Sequence, residues 1–347
     1  MTKYAYSNDN EPNTSGLSEP DLRALGTIQP AGRTLRSESS QLRCLDKSNE
    51  YFELSYFDPP KGLERYILAL FETRFIHDPS DDHHPGVLGQ LVFAVRGGAQ
   101  ARFGDRIDRL ERYPVLCSAF DVAAPYRAHG PLWNLGVSLS PLGWAALTRA
   151  SSFDYRDRFL PASELIGEEV NRFSDSLVDR RGKEEITAEQ ACLEIATWIS
   201  ERLHPVPVEH ELLIYRVLEW LGSSLNPSLE QLFANQTYSR RQFERLVKRY
   251  FGFAPRGLAR KFRAVRAANL LAQSKLTDEG EAELAEAFVD QPHMIREIRR
   301  FCGYTPSRLG GGEESMFIRL SHIQNLDRFK PYRAVGSGKK PDGPPLV

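Results

Sequence analysis

The chain has few cysteines, no long apolar run and almost no net charge, and each of these shortages excludes a class of protein. Its four cysteines lie far apart and form no zinc-ligand spacing, so we expect separate reduced thiols, with neither a disulfide framework nor a bound metal. No apolar run approaches the roughly 18 residues that a membrane span requires. The polar N-terminus lacks the apolar stretch of a signal peptide. These shortages predict a cytoplasmic protein without a membrane partner.

The formal net charge of −1 hides an uneven distribution of charge. Residues 209–309 carry 16 lysines and arginines against 12 acidic residues, and residues 239–266 carry ten basic residues and a single acid, Glu244. A local basic field in an otherwise neutral chain suits a module that contacts phosphate groups. The sequence shows no Ser-His-acid constellation and no phosphate-binding glycine loop, so it predicts a protein that is not an enzyme and needs no cofactor.

Composition and periodicity divide the chain into five segments. Residues 1–45 predict a disordered arm, and residues 311–347 predict a flexible tail, because both are rich in polar residues, glycine and proline. Between them we expect a β-barrel domain over residues 46–165, a helical connector over residues 166–207 and a helical domain over residues 208–310.

The β-domain is predicted from short segments of aromatic and β-branched residues that alternate with turn formers, a pattern typical of a small barrel or sandwich. We expect helices near Leu63–Phe71 and Pro141–Ala150, and an exposed turn over residues 81–85. That turn contains His83 and His84, which with His77 and His129 offer weak candidates for a metal site, because adjacent histidines diverge on a strand. The expected strands lie within residues 51–57, 88–95, 101–107, 113–120 and 132–139.

The connector is predicted to hold a helix that starts at a capping box formed by Thr187 and Gln190. Its apolar residues Cys192, Ile195 and Ile199 fall on one stripe. The sequence His204-Pro-Val-Pro207 ends this periodicity, because proline cannot continue a helix. We therefore place the boundary of the last domain there.

Two closely spaced helices in the last domain predict a helix-turn-helix unit. Ser228 opens a short helix, and Ser239 with Gln242 forms a capping box at the start of a helix of about a dozen residues. That second helix has an apolar face and a basic face. Such a helix fits the major groove of B-DNA, where arginine can donate two hydrogen bonds to guanine. The charged face comprises Arg240, Arg241, Glu244, Arg245, Lys248 and Arg249.

Three pieces of this region together resemble the signature of the AraC/XylS family of transcription regulators. They are Tyr238-Ser-Arg-Arg-Gln-Phe-Glu-Arg245, Phe251-Gly-Phe-Ala-Pro255 and Arg263-Ala-Val-Arg-Ala-Ala-Asn-Leu-Leu271. In that family a long helix joins two helix-turn-helix units, so that both can enter successive major grooves on one face of DNA. The resemblance implies that residues 255–272 form this linker helix. Arg263 and Arg266 lie along it, and pairing with acids of the second unit is the alternative to a role at DNA.

The second unit resembles the family over Asp290-Gln-Pro-His-Met-Ile-Arg-Glu-Ile-Arg-Arg-Phe-Cys-Gly303, and residues 281–289 would form its first helix. Asp290 is a favourable N-cap, and Pro292 sits in the first turn, where its missing N–H costs nothing. The segment from Leu284 to Asp290 departs from the family pattern, since it is about two residues short and has no glycine. The angle between the two helices is therefore left open.

By position, the resemblance implies base-reading roles for residues of both recognition helices. Glu244 could accept a hydrogen bond from cytosine, whereas Pro292 offers apolar contact only. Phosphate contacts are the expected role of the cations further along each helix. The implied base readers are Arg241, Glu244, Arg245, Gln291, Pro292 and Arg296, and the implied phosphate contacts are Lys248, Arg249, Arg299 and Arg300.

The β-domain resembles, less specifically, the small β-barrel sensor domain of some AraC-type regulators. The similarity lies in Leu135-Gly-Val-Ser-Leu-Ser-Pro-Leu-Gly-Trp144, Phe159-Leu-Pro-Ala162 and Leu165-Ile-Gly167. In that family such barrels bind small effectors, form dimer contacts, or do both. The expected fold class is α+β: a cupin-like β-barrel followed by an all-α domain with two helix-turn-helix units joined by a linker helix.

The expected function is a sequence-specific DNA-binding transcription regulator. Its implied partners are double-stranded DNA, RNA polymerase, a small-molecule effector and a second copy of the chain. Two alternatives stay open at this point. One is a ligand-binding or enzymatic barrel whose helical part has lost DNA binding, which the shortened second turn would favour. The other is a protein-interaction module that acts on another regulator.

Overall fold

The computed structural model describes residues 44–46, 52–75, 82–86, 88–234, 238–272 and 276–309. The predicted arm, up to residue 43, and the predicted tail lie outside the described residues, as does His77. Nine strands occur among these residues, all of them before residue 162. They are β1 Cys44–Asp46, β2 Phe52–Phe57, β3 Ile67–Phe75, β4 Asp82–His84, β5 Gly89–Phe103, β6 Arg106–Leu110, β7 Val115–Cys117, β8 Ala124–Leu139 and β9 Phe159–Pro161.

The nine strands form one antiparallel sheet. We call the described part of residues 44–161, which contains these strands and the segments that connect them, the sheet domain. The hydrogen-bonded order is β1-β2-β3-β8-β5-β7-β9, with β4 added to β8 and β6 added to β5. The long strands β5 and β8 pair along most of their length, and irregularities in register between Ala94 and Gly98 bend them. Among the described residues no pairing joins β1 to β9, so the sheet is not the closed barrel that we expected. The α+β fold class is confirmed.

Two local predictions in this domain were wrong. The segment Leu63–Phe71 does not form a helix, since Ile67–Phe75 is a central strand between β2 and β8. It is an apolar run that is buried on both sides, and periodicity alone does not distinguish such a strand from a buried helix. The expected turn at residues 81–85 contains strand β4, which pairs with β8.

Eleven helices occur in the described residues. Four of them cover the sheet or follow it: α1 Pro141–Thr148, α2 Ser163–Ile166, α3 Glu169–Gly182 and α4 Ala188–Ser200. Helix α1 confirms the expectation near residue 141, and α4 starts at the predicted capping box of Thr187 and Gln190. Helices α3 and α4 pack on strands β5, β3 and β8.

Seven helices form the C-terminal part, which we call the helical domain. They are α5 Val208–Ser223, α6 Leu229–Phe233, α7 Arg240–Phe251, α8 Pro255–Leu271, α9 Asp278–Ala287, α10 Gln291–Cys302 and α11 Pro306–Leu309. Helix α5 ends at Ser223. One continuous apolar core crosses from the sheet domain into this domain, with Trp144 and Tyr250 among its members. None of the helices among the described residues has the length and apolar character needed to cross a membrane.

Candidate nucleic-acid interface

The first recognition helix, α7, is built as its sequence predicted. Ser239 accepts a hydrogen bond from the backbone N–H of Gln242, and the Gln242 side chain accepts one from the N–H of Ser239. This capping box satisfies two backbone donors at the start of the helix. The apolar face is buried against the rest of the domain. The opposite face is solvent-exposed at Arg240, Arg241, Arg245 and Arg249.

Two of the predicted DNA contacts on α7 pair with each other in this structure. Arg240 Nε lies 3.3 Å from Glu244 Oε1, and the Arg240 guanidinium lies 4.5 Å above the ring of Phe233. Lys248 is half-buried, with its Nζ 5.4 Å from the ring of Phe153 in the loop after α1. The interface therefore presents Arg241 and Arg245 most directly, at the N-terminal half of the helix.

The second recognition helix, α10, begins at the predicted N-cap. The Asp290 carboxylate accepts a hydrogen bond from the backbone N–H of His293 at 2.6 Å. Pro292 occupies the first turn, where no intrahelical N–H is needed. The side chains predicted to contact DNA are exposed at Gln291, Pro292, Arg296, Arg299 and Arg300.

The two recognition helices are equivalent at an offset of 51 positions. Each spans 12 residues, and their N-caps are Ser239 and Asp290. The sequence Arg249-Tyr-Phe-Gly-Phe-Ala-Pro255 in the first unit corresponds to Arg300-Phe-Cys-Gly-Tyr-Thr-Pro306 in the second. Both helices end at a glycine with positive φ, Gly252 at +78° and Gly303 at +86°, a conformation that side chains disfavour.

The linker helix α8 is joined to the second recognition helix by a buried ionic cluster around Glu297. The Arg263 guanidinium donates to both Glu297 carboxylate oxygens at 2.7–3.0 Å, and Arg260 Nε donates to Oε1 at 2.8 Å. His293 Nε2 lies 3.3 Å from the same oxygen. Burial would raise the pKa of Glu297, but the hydrogen bonds from Arg260 and Arg263 outweigh it and hold that pKa below its ordinary value. The cluster fixes α10 on α8.

The alternative that Arg263 and Arg266 pair within the protein is therefore the one observed. Besides the Arg263–Glu297 pair, Arg266 donates to the backbone oxygens of Leu221 and Ser224 and lies 3.6 Å from Glu283 on α9. Both arginines are buried. Both arginines stabilise the packing of the second unit, and the exposed side chains remain the candidates for DNA contact.

The shortened connection of the second unit consists of three residues, Phe288, Val289 and Asp290. The buried Phe288 ring has the Arg263 guanidinium 5.1 Å from its centre and the His293 ring at its edge. Helix α9 begins at Asp278 and ends at Ala287, slightly earlier than we expected at both ends. The turn that joins α9 to α10 thus contains no glycine, and the aromatic side chain of Phe288 occupies the junction between the two helices.

Two buried polar groups in the interior of the sheet domain, Gln90 and Asn134, were not identified from the sequence, and His84, which we expected in an exposed turn, is buried beside them. A cavity of about 50 Å³ is lined by His84, Gln90, Asn134 and their neighbours. His84 Nδ1 accepts a hydrogen bond from the N–H of Gly86, and burial, together with the positive charge of Lys261, lowers the pKa of His84 to about 3. His83 points elsewhere, toward Gly303. Within the described ranges, no group of His, Cys, Asp and Glu could hold a metal ion.

A lysine at the junction of the two domains was likewise not identified from the sequence. Lys261 on α8 is 1% exposed, and its Nζ donates to the backbone oxygens of Gly86, at 2.8 Å, and of Phe120. Burial lowers the pKa of Lys261 to about 7, while the carboxylates of Asp157 and Asp121 oppose this shift. Its place among the cations of α8 made it look like one more residue of a basic surface.

Comparison with known proteins identifies the helical domain. Residues 234–310 match a family model described as a helix-turn-helix domain, which confirms the resemblance of this region to AraC-type regulators. A search of curated proteins gave no match. The chain thus carries, over residues 234–310, a helix-turn-helix domain of the AraC type.

Similar solved structures include that of ToxT from Vibrio cholerae O395, which is 9% identical over 76% of this chain and 100% of that chain, with a TM-score of 0.39. ToxT bound to (E)-4-(8-methylnaphthalen-1-yl)but-3-enoic acid is 8% identical over 75% and 98% of the two chains, with a TM-score of 0.40. A structure titled FeII HppE is 14% identical over 36% and 78%, with a TM-score of 0.24. At TM-scores this low, none of these likenesses bears on function.

Proposed function

Because the chain carries an AraC-type DNA-binding domain, we propose that it reads a DNA site about two helical turns long with both recognition helices. The observation that supports this most is the equivalence of α7 and α10. Both are capped 12-residue helices whose exposed face carries arginine at matching positions, Arg245 and Arg296. Arginine at such positions can donate two hydrogen bonds to guanine in the major groove.

We assign base reading to the N-terminal half of each helix and phosphate contact to the C-terminal half. Recognition helices generally enter the major groove with their N-terminal residues at the base edges. The base-reading set comprises Arg241, Glu244, Arg245, Gln291, Pro292 and Arg296, and the phosphate-contacting set comprises Lys248, Arg249, Arg299 and Arg300, joined by Arg240 at the start of α7. Glu244 can accept from cytosine once Arg240, which now pairs with it, turns toward phosphate.

The rigidity of α8 supports a role for the second unit despite its short turn. The Glu297 cluster holds α10 against α8, and Phe288 fills the junction with α9. Within the described residues the short connection of the second unit is the feature that favours the alternative in which the helical part has lost DNA binding, and the contacts that hold α10 argue against it. We also propose that the protein acts by binding rather than by catalysis.

The partners beyond DNA are proposals that rest on the resemblance. RNA polymerase would be the target of regulation, and a second copy of the chain would pair through the sheet domain. A small effector would bind in the interior of the sheet, where the Asn134 Oδ1 atom is buried without a hydrogen-bond partner. The cavity there is about 50 Å³, which suits water, so an organic effector would have to enlarge it.

The experiment that tests the proposal is selection of bound fragments from genomic and random-sequence DNA with the purified full chain, at 50 and 200 mM salt. We expect a shared motif about two helical turns long. Five to eight phosphate contacts should lower the affinity by several hundredfold or more between the two salt concentrations, roughly 0.9 of a counterion being released per contact. A motif of one turn would remove the second unit from the proposal. Absence of any enriched motif, with and without candidate effectors, would reject it.

A further inference from the structure

The sheet domain contacts the two recognition helices at equivalent positions. The backbone N–H of Ser152 donates to the carbonyl of Arg249 at 2.7 Å, and the backbone N–H of Ala123 donates to the carbonyl of Arg300 at 2.9 Å. Arg249 and Arg300 are the same position of the two units. Each carbonyl belongs to the last turn of its helix, where carbonyls have no intrahelical partner and accept from other groups.

The glycines that end both helices lie directly against the sheet domain. A Cβ atom on Gly303 would lie 2.3 Å from His83 Cβ, and one on Gly252 would lie 3.1 Å from Ser152 Oγ. Side chains reinforce the contact at Gly303, in the second unit. Tyr304 Oη donates to Asp82, and the Arg300 guanidinium lies 3.2 Å from an Asp121 carboxylate oxygen. The sheet domain therefore fits closely at the end of each recognition helix.

Lys261 ties the linker between the two units to the same part of the sheet domain. Its two acceptors, the carbonyls of Gly86 and Phe120, belong to the two segments that contact the second unit. These segments are joined to each other, since the N–H of Phe120 donates to the Gly86 carbonyl at 2.9 Å. A buried amine is costly unless its hydrogen bonds are made, so this contact is specific in position.

We propose that the sheet domain sets the spacing of the two recognition helices on DNA, with Lys261 as the central positioning residue. The docking leaves the base-reading halves exposed at Arg241, Arg245 and Arg296, so it is compatible with reading DNA. This inference rests on the proposed function, since it concerns how the two halves of one DNA site are read together. It assigns the domain a geometric task that requires no effector.

The consequence is a strict requirement for the distance between the two half-sites. Half-sites that lie on one face of DNA are separated by about 10–10.5 base pairs, or 34–36 Å. Inserting two base pairs rotates one half-site by about 70° and moves it by about 7 Å. Recognition helices that are both held by the sheet domain cannot follow that movement. Helices that are joined only through α8 can change their separation further.

The test uses the full chain, the selected two-half-site duplex, the same duplex with one, two or five base pairs inserted, and a duplex with one half scrambled. Lys261→Met keeps the length of the side chain and removes the amine. Arg256→Met, on an exposed position of the same helix, is the matched control for the lost charge. Tyr304→Phe places in the second unit the residue that the first unit has at Phe253. Amide hydrogen exchange of the peptides that contain Ala123 and Ser152 reports docking directly and needs no DNA.

We expect the wild type and Arg256→Met to bind the duplex with the selected spacing at least tenfold more tightly than the duplex with the two-base-pair insertion. The double variant that combines Lys261→Met with Tyr304→Phe should show a preference of less than threefold. Affinity for the duplex with one intact half should stay within twofold, and the two amides should lose protection. If the spacing preference persists although the amides exchange rapidly, the sheet domain does not set spacing. If the amides stay protected, Lys261 and Tyr304 are not the positioning residues. If the wild type binds no DNA, the proposed function fails, and the exchange result still decides whether Lys261 holds the domains together.

Discussion

The recognition helices of the two helix-turn-helix units have the same length and end at equivalent glycines, but the two units divide charge differently. In the first unit α7 carries five basic residues and one acid, all at least partly exposed. In the second unit α10 carries three arginines, its acid Glu297 is buried, and α9 contains five acidic residues and no basic one. The difference leads us to propose that the first unit supplies most of the electrostatic attraction to DNA, while the second unit, which internal ion pairs hold in place, determines the orientation of the protein on its site.

Among the substitutions that test this comparison, we expect Glu297→Ala to have the largest effect on stability. The change leaves Arg263 buried without its carboxylate partner, and breaking a buried pair on one side typically costs about 3–5 kcal/mol. We expect the free energy of unfolding, measured by urea denaturation, to fall by that amount. Glu286→Ala, on the exposed face of α9, is the matched control and should change little. Equal effects of the two substitutions would show that the cluster does not hold the second unit.

The equivalent arginines of the two helices provide the next comparison. We expect Arg245→Ala to weaken binding to the selected site by about 1–3 kcal/mol while leaving binding to scrambled DNA nearly unchanged, because a bidentate contact to guanine would be lost. Arg296→Ala should act in the same direction at the other half-site. Lys248→Ala should instead weaken both DNAs alike. Titrations with single base changes in each half measure this, and specific affinity that is unchanged in both arginine variants would mean that the base-reading positions are wrong.

The N-caps at the same position of the two units predict a smaller effect. Ser239→Ala and Asp290→Ala each remove a side-chain acceptor for a backbone N–H, and loss of such a cap typically costs about 1 kcal/mol. Thermal denaturation followed by circular dichroism measures both. We expect the two losses to be similar, and a loss confined to one variant would show that the caps are not equivalent in strength.

A graded pH effect should distinguish the docked from the undocked arrangement. The pKa of Lys261 is about 7 in the docked state and rises toward its ordinary value of 10.5 when the lysine meets water. Between pH 7 and pH 10.5 the undocked state therefore binds more protons than the docked state, and docking becomes stronger as the pH rises through this range. Below pH 7 the lysine is protonated in both states, so the strength of docking does not depend on its titration. His84, Cys302, Asp121 and Asp157 are the titratable groups that face or influence Lys261. Protection of the Ala123 amide, corrected for intrinsic exchange, should increase from pH 7 to pH 9 in the wild type and remain constant in Lys261→Met.

Much of the helical domain could be predicted from the sequence because its signals are local. The N-caps at Ser228, Ser239 and Asp290 act within one turn, and the apolar spacing of α7 determines which side is buried. The choice of Arg241, Arg245 and the other DNA contacts remains a prediction, as do the domain boundaries. The resemblance identified the family of this domain but gave no information on how it meets the sheet.

The missed features depend on contacts that are remote in sequence. Nothing near Lys261 shows that its amine reaches the carbonyl of Gly86, 175 residues away. The strand at Ile67–Phe75 was mistaken in part for a helix because burial on both faces removes the alternation that marks a half-exposed strand. The repeat of Arg-x-x-Gly-x-x-Pro at residues 249–255 and 300–306 was a usable signal, since it marks two positions that a single surface can contact in the same way.

The contacts between the sheet domain and the recognition helices have a practical consequence for mutagenesis. Both use backbone atoms on each side, the N–H groups of Ser152 and Ala123 and the carbonyls of Arg249 and Arg300. Replacing Ser152, Arg249 and Arg300 by alanine removes side chains only, and Ala123 is already alanine, so a complete alanine scan would leave both hydrogen bonds in place. Such a scan would therefore detect the side-chain contacts of Lys261 and Tyr304 but miss these two backbone hydrogen bonds, which ester substitution of the Ser152 and Ala123 amides would remove directly.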